Sequence, residues 1–153
     1  MPVAVDATGS AVATIFTKIL EGELPGRFVW RDDRGAAFLS INPLSDGHTL
    51  VVPRREVDHW LDLEEHEVEW LHVVGQRVGH AIQAAFQPAR VGTVIAGFEV
   101  PHVHLHVFAT QSMADFDFAR ADADPDPRVM DDAARRIRAA LRDLGYEDAI
   151  PAG

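Results

Sequence analysis

Three of the eight histidines, His102, His104 and His106, stand at alternate positions in the run Pro101-His102-Val103-His104-Leu105-His106-Val107-Phe108. Imidazoles titrate near neutrality and can donate or accept protons, ligate metals or attack an electrophile. Alternation with Val103, Leu105 and Val107 is the signature of a half-buried β-strand, whose successive side chains point to opposite faces. The apolar set would enter a core and the three imidazoles would line one surface, neighbours about 6.6 Å apart at two residues of rise.

Three chemistries fit such a row. The first is none: five histidines (His48, His59, His66, His72, His80) read as solvated side chains, and the row could be the same. The second is metal binding, since an i, i+2 pair on a strand can hold zinc, although three extended positions do not converge easily on one ion. The third makes the middle residue, His104, a nucleophile toward phosphorus. Its neighbours would then bind phosphate oxygens or pass a proton to the leaving group.

The elements that must carry this row are legible in the apolar periods. Ile15, Phe16, Ile19 and Leu20 suit a short amphipathic helix with Thr14 as N-cap, ended by Gly22 and Pro25-Gly26. Phe28–Arg31 and Ala36–Ile41 read as strands around the turn Asp32-Asp33-Arg34-Gly35, and Asp46-Gly47 leads into a third, His48–Pro53. From Asp62 or Glu64 to Phe86 the period becomes helical, with Val68, Leu71, Val74, Val78 and Ile82 on one face and acidic residues in the first turns. Val91–Ala96 predicts a strand, and the histidine strand is expected from about Val100. Residues Asp115–Pro127 read as an exposed loop before a last helix, Val129–Leu144, with Gly145 as its C-terminal cap. The order α-β-β-β-α-β-β-α implies an α+β fold.

The 153 residues suffice for one domain with a real core. The net charge of −10 argues against a nucleic-acid polymer or an anionic membrane as partner. With no cysteine there is no disulfide, thiolate zinc site or cysteine nucleophile. Residues 1–13 lack a basic, signal-like start and read as a flexible tail, no apolar run reaches membrane-span length, and a cytoplasmic location follows as the default.

The motif His102-Val103-His104-Leu105-His106-Val107-Phe108 resembles the His-φ-His-φ-His-φ-φ signature (φ apolar) of the histidine triad (HIT) superfamily of nucleotide hydrolases and transferases. Upstream, Ile15-Phe16, Lys18-Ile19, Gly22-Glu23-Leu24-Pro25, Ala37-Phe38, Ile41-Asn42-Pro43 and Gly47-His48-Thr49-Leu50-Val51-Val52-Pro53 are similar to its Hint-type branch. The resemblance implies a HIT domain over residues 14–112, with residues 113–153 as a loop and helix packed on it. It further implies a five-stranded antiparallel sheet and a homodimer made by joining two sheets, with the long helix in the interface. A nucleotide base would lie among Ile15, Phe16, Ile19, Leu24 and Phe38, with Ser40 and Asn42 in the same site. His104 would carry the nucleotidyl group covalently, His102 and His106 would orient it and bind phosphate, and His48 would complete the cluster. Histidine at the third triad position goes with hydrolysis, here of a nucleoside phosphoramidate, acyl nucleotide or related conjugate, with no cofactor. The alternative on the same fold is a nucleotide-binding or sensing protein with weak catalysis.

Four departures from the resemblance stand out. Ser40 replaces the acid that grips ribose hydroxyls in many relatives. Thr14-x-x-Thr17 replaces the Cys-x-x-Cys of zinc-holding bacterial relatives, and Glu56 replaces their later histidine, so no zinc is expected there. Gly97-Phe98-Glu99 replaces the usual Gly-Gln before the triad, which places an unexpected anion beside a phosphate site.

Overall fold

Stretches of apolar period two alternate with stretches of helical period, and the elements follow that alternation in the expected order. The computed structural model describes residues 13–152, so the tail expected over residues 1–13 lies outside the described residues but for Ala13. The elements are α1 (Ile15–Leu20), β1 (Phe28–Arg31), β2 (Gly35–Leu39), β3 (Thr49–Pro53), α2 (Glu65–Phe86), β4 (Arg90–Val94), β5 (Leu105–Thr110) and α3 (Pro127–Asp143). The five strands form one antiparallel sheet in the order β1-β2-β3-β5-β4, and the helices are segregated from it, an α+β fold.

One face of the sheet carries the larger core. Leu105 and Val107 of β5 and Val51 of β3 meet Leu71, Val74, Val78 and Ile82 of α2, and Met130, Ala133, Ala134, Ile137 and Leu141 of α3 close the cluster. Each such side chain contributes about 1.5–3 kcal/mol when fully buried. The ends of α2 explain its length. Glu67 reaches back to accept from the Glu64 N–H at 2.9 Å. At the other end Gln87 turns left-handed (φ 50°) ahead of Pro88. For α3, Asp126 caps the start and Pro127 occupies the first turn. Asp32 in the β1–β2 turn accepts from the indole N–H groups of Trp30 and Trp70, both at 2.9 Å, which locks the hairpin to α2. Gly35 follows it because a Cβ there would stand 2.3 Å from the Val52 carbonyl and 2.4 Å from Trp70.

The opposite face holds a smaller core of Phe16, Ile19, Leu20, Phe38, Leu50 and Val52 under α1. His106 shares this face, paired in register with Leu50 of β3 and Val94 of β4.

Three expectations are corrected here. The histidine strand begins at Leu105, not near Val100, so His102 and His104 lie on an irregular strap before it. Pro101 has no N–H to give to a ladder, and the strap spends its donors elsewhere: His102 N–H on the Val100 carbonyl and Val103 N–H on the Val57 carbonyl, at 2.7 Å. The segment Asp115–Pro127 is not a plain exposed loop either. The 3-10 turn Met113–Asp115 leads into it, the turn Phe118–Arg120 lies within it, and Phe116 packs on Phe108 at 5.1 Å between ring centres. The strand expected over Val91–Ala96 ends at Val94. No helix among the described residues is long and apolar enough to cross a membrane.

Candidate active site

The three triad histidines do not sit on an open surface. His102, His104 and His106 are 0%, 3% and 6% exposed, and His48 is 1% exposed. Leaving the regular strand lets them crowd. The rings of His104 and His106 are 4.9 Å apart between centres, well inside the spacing of an extended chain. Phe16 of α1 stands edge-on to His104 at 4.8 Å and Phe118 edge-on to His106 at 4.8 Å, so two imidazoles lie between two phenyl rings. Phe38 continues the row behind Phe16 at 5.7 Å.

His48 reaches this row through a tight connection between β2 and β3. The turn ends at Gly47, whose φ of +84° and close approach to Phe86 (2.6 Å for an added Cβ) admit only glycine. His48 N–H donates to the Ser45 carbonyl and Ser40 N–H to the His48 carbonyl. The same loop therefore presents Ser40, Asn42 and His48 to one space.

Hydrogen-bond partners assign the protons. A backbone N–H can only donate and a carbonyl can only accept. Leu44 N–H donates to His48 Nδ1 at 2.9 Å, so the His48 proton is on Nε2, which lies 2.9 Å from His106 Nδ1 and donates to it. The His106 proton is then on Nε2. His104 Nδ1–H donates to the His102 carbonyl at 2.8 Å, leaving the lone pair on His104 Nε2. His102 Nε2–H donates to the Pro53 carbonyl at 2.7 Å, and its Nδ1 accepts from the Thr14 hydroxyl at 2.8 Å. Within one cluster, His104 offers an unprotonated outer nitrogen and His106 a protonated one.

The electrostatics keep all four rings neutral at pH 7. Burial, reinforced by His104, pushes the His48 pKa down to about 4. Burial, with His48 and His104 alongside, pushes His106 down to about 3. Burial also lowers His104, against opposing contributions from its bond to the His102 carbonyl and from Glu99. His102 is lowered by burial, opposed by its bond to Pro53 and by Glu56.

A cavity of about 760 Å³ opens over this cluster, within the usual range for small-molecule sites. Of the residues singled out from the sequence, Ile15, Phe16, Ile19, Phe38, Ser40, Asn42, His48, His104 and His106 line it. Leu24 and His102 do not. Leu24 is exposed at 37% past the end of α1, and His102 lies behind His104 with both ring nitrogens already bonded. Glu99 faces the cavity while Phe98 beside it is 96% exposed. The segment after β5 adds Phe118, Ala121 and Ala123, and Asp131 of α3 closes the rim in an ion pair with Arg27 at 2.7 Å. These wall residues were not foreseen. The Phe-x-Phe pair at Phe116 and Phe118 within an acidic loop was the one signal that could have found them.

Comparison with known proteins agrees with this geometry. The HIT domain profile matches residues 21–113. An uncharacterised HIT-like protein from Methanocaldococcus jannaschii is 35% identical over 97 residues, covering 61% of this chain and 75% of that protein. The Hit protein of Bacillus subtilis is 32% identical over 99 residues, 61% of this chain and 68% of its own. Among solved structures, a zinc-bound histidine triad family protein from Mycobacterium smegmatis superimposes with a TM-score of 0.75 at 27% identity, over 88% of this chain and 97% of that one. A hypothetical histidine triad nucleotide-binding protein from Sulfolobus tokodaii gives a TM-score of 0.75 at 26% identity, over 84% and 92%. With its triad buried under a cavity of small-molecule size and its domain matched over most of its length, the chain belongs to the histidine triad family.

Proposed function

We propose that the protein is a cytoplasmic, homodimeric nucleotidyl hydrolase that cleaves a nucleoside phosphoramidate, acyl nucleotide or related nucleoside monophosphate conjugate. The observation that carries this reading is the complementary protonation of two adjacent rings, with a lone pair on His104 Nε2 and a proton on His106 Nε2. His104 Nε2 attacks phosphorus, the bond from phosphorus to the leaving nitrogen or oxygen breaks, and the leaving atom, hydrogen-bonded to His106 Nε2–H, takes its proton from a water molecule. The hydroxide so formed attacks the phospho-histidine, and the nucleoside monophosphate departs as the His104–phosphorus bond breaks.

The apolar end of the cavity, Ile15, Phe16, Ile19 and Phe38, suits the flat faces of a base. Ser40 and Asn42 line the same cavity and offer polar groups to a sugar. We take residues 14–112 as the catalytic domain and 113–153 as a segment that completes its cavity. For the dimer we invoke β4, an edge strand with no neighbour on its outer side among the described residues, and Val73, 44% exposed on α2. Sedimentation velocity tests that part, a monomer at micromolar concentration being the contrary result.

Turnover of a fluorogenic adenosine phosphoramidate tests the chemistry. His104→Ala and His104→Gly should remove activity while far-UV circular dichroism and the melting temperature stay near wild type; retained turnover would sink the nucleophile. Ser40 and the Glu99 carboxylate facing the cavity motivate the second reading, a nucleotide sensor. Tight binding of a nucleoside monophosphate with no turnover of any conjugate in a broad panel would favour it.

A further inference from the structure

Thr14, Thr17 and Glu56 occupy the positions at which, by the family resemblance, zinc-holding relatives carry two cysteines and a histidine. Here they are joined to each other and to His102 by hydrogen bonds. Glu56 Oε1 accepts from the Thr14 backbone N–H at 2.6 Å and from the Thr17 hydroxyl at 2.7 Å. Thr14 then gives its hydroxyl proton to His102 Nδ1 at 2.8 Å, and His102 passes its own proton to the Pro53 carbonyl. The donor set does not fit zinc. It contains no thiolate and two neutral hydroxyls, and the His102 lone pair that faces it is already engaged by Thr14.

We propose that Glu56 is a positioning residue: its carboxylate fastens the start of α1 to the segment after β3, where the neighbouring Val57 carbonyl holds the strap that carries His102, a metal-free tether in place of a zinc crosslink. The inference rests on the hydrolase reading for its kinetic consequences, though not for its geometry. Helix α1 has six residues, too few to hold itself in water. Its Phe16 ring forms the wall against His104 at 4.8 Å and also meets His102 at 5.9 Å. The His102 carbonyl holds the His104 proton on Nδ1. Both features that set the nucleophile, its ring wall and its tautomer, thus hang on the segment Glu56 secures. The hydrogen bonds also outweigh burial and hold the Glu56 carboxyl below the usual carboxylate range, so it is an anion at neutral pH.

The test compares wild type with Glu56→Ala, Glu56→Gln and Thr14→Val. Glutamine keeps an oxygen that can accept both bonds, so E56Q should retain most turnover, whereas E56A should lose about 10- to 100-fold through misplacement of the reacting groups. T14V keeps the backbone bond to Glu56 but removes the proton to His102, so kcat should fall with KM little changed. Nitrogen-15 spectra of the histidines give a readout independent of activity. His102 should stay the Nε2–H tautomer that the Pro53 carbonyl fixes, while its Nδ1 resonance should show an accepted hydrogen bond in wild type and E56Q and move toward a free lone pair in E56A. A T14C/T17C/E56H variant should take up about one zinc per chain by elemental analysis and become sensitive to a chelator, to which wild type is indifferent. An active wild type with E56A matching it in kcat, KM and the His102 Nδ1 resonance overturns the tether. A wild type that turns over nothing overturns the hydrolase reading instead, and the His102 spectra alone then decide the tether.

Discussion

His48 Nε2 lies 2.9 Å from His106 Nδ1, and because Leu44 N–H occupies the other nitrogen of His48, the proton between the two rings originates on His48. A loop amide thus determines, through two imidazoles, which nitrogen of His106 presents a proton to the cavity. His48→Ala removes the donor and lets the His106 proton move to Nδ1. Turnover should fall about 100- to 1,000-fold, the worth of one preorganised donor at a developing charge. Stability should drop by about 1–3 kcal/mol for the orphaned buried nitrogen. Steady-state kinetics and urea midpoints on the same preparation check both, and an unchanged kcat would remove His48 from the proton path.

Stability should depend on pH in a defined direction. His48 and His106 titrate at about 4 and about 3 in the folded chain, both driven down first by burial, against 6.5 for a free imidazole. Below pH 6.5 the unfolded chain therefore binds protons that the folded chain refuses. The stability these groups leave intact is fully present above pH 6.5 and is lost as pH falls toward 4, by up to about 1.4 kcal/mol per pH unit for each group. Urea denaturation at pH 7.5 and pH 5 measures it, and equal midpoints would contradict neutral burial.

Phe118 reaches His106 from outside the matched domain, and it lines the cavity. Phe118→Ala should raise KM for a nucleotide conjugate about three- to tenfold, since the edge-on contact and the wall together are worth about 1 kcal/mol. The melting temperature should move little, because the ring is only half-buried. A change confined to melting temperature would make Phe118 a packing residue alone.

Ser40 is 9% exposed and its hydroxyl accepts from Asn42 N–H at 3.3 Å. It offers a sugar one neutral oxygen. Ser40→Asp should tighten AMP binding relative to 2′-deoxy-AMP by about tenfold, the worth of a hydrogen bond to a charged acceptor. Calorimetric titration of both nucleotides into both proteins measures the ratio. An unaltered ratio would move the sugar away from this residue.

The sequence alone determined what depends on neighbours in the chain. Two apolar periods, with Thr14, Gly47, Gln87-Pro88 and Gly145 at their ends, dictate the elements and their order, because backbone hydrogen bonding and side-chain direction are local properties. The spacing of His102, His104 and His106 likewise marked the candidate site, and the apolar residues of α1 and β2 marked one wall of the cavity. Only tertiary structure decided the protonation pattern, since it rests on Leu44, Pro53, Thr14 and the His102 carbonyl, and the critical His48–His106 and Thr14–His102 bonds join residues 58 and 88 positions apart. The same holds for the burial of the row, where Pro101 ended the ladder that strict alternation predicted, and for Phe118, whose place against His106 depends on how the chain returns over the sheet after β5. Periodicity tells a residue which face it takes; it cannot say which distant atom will meet it there.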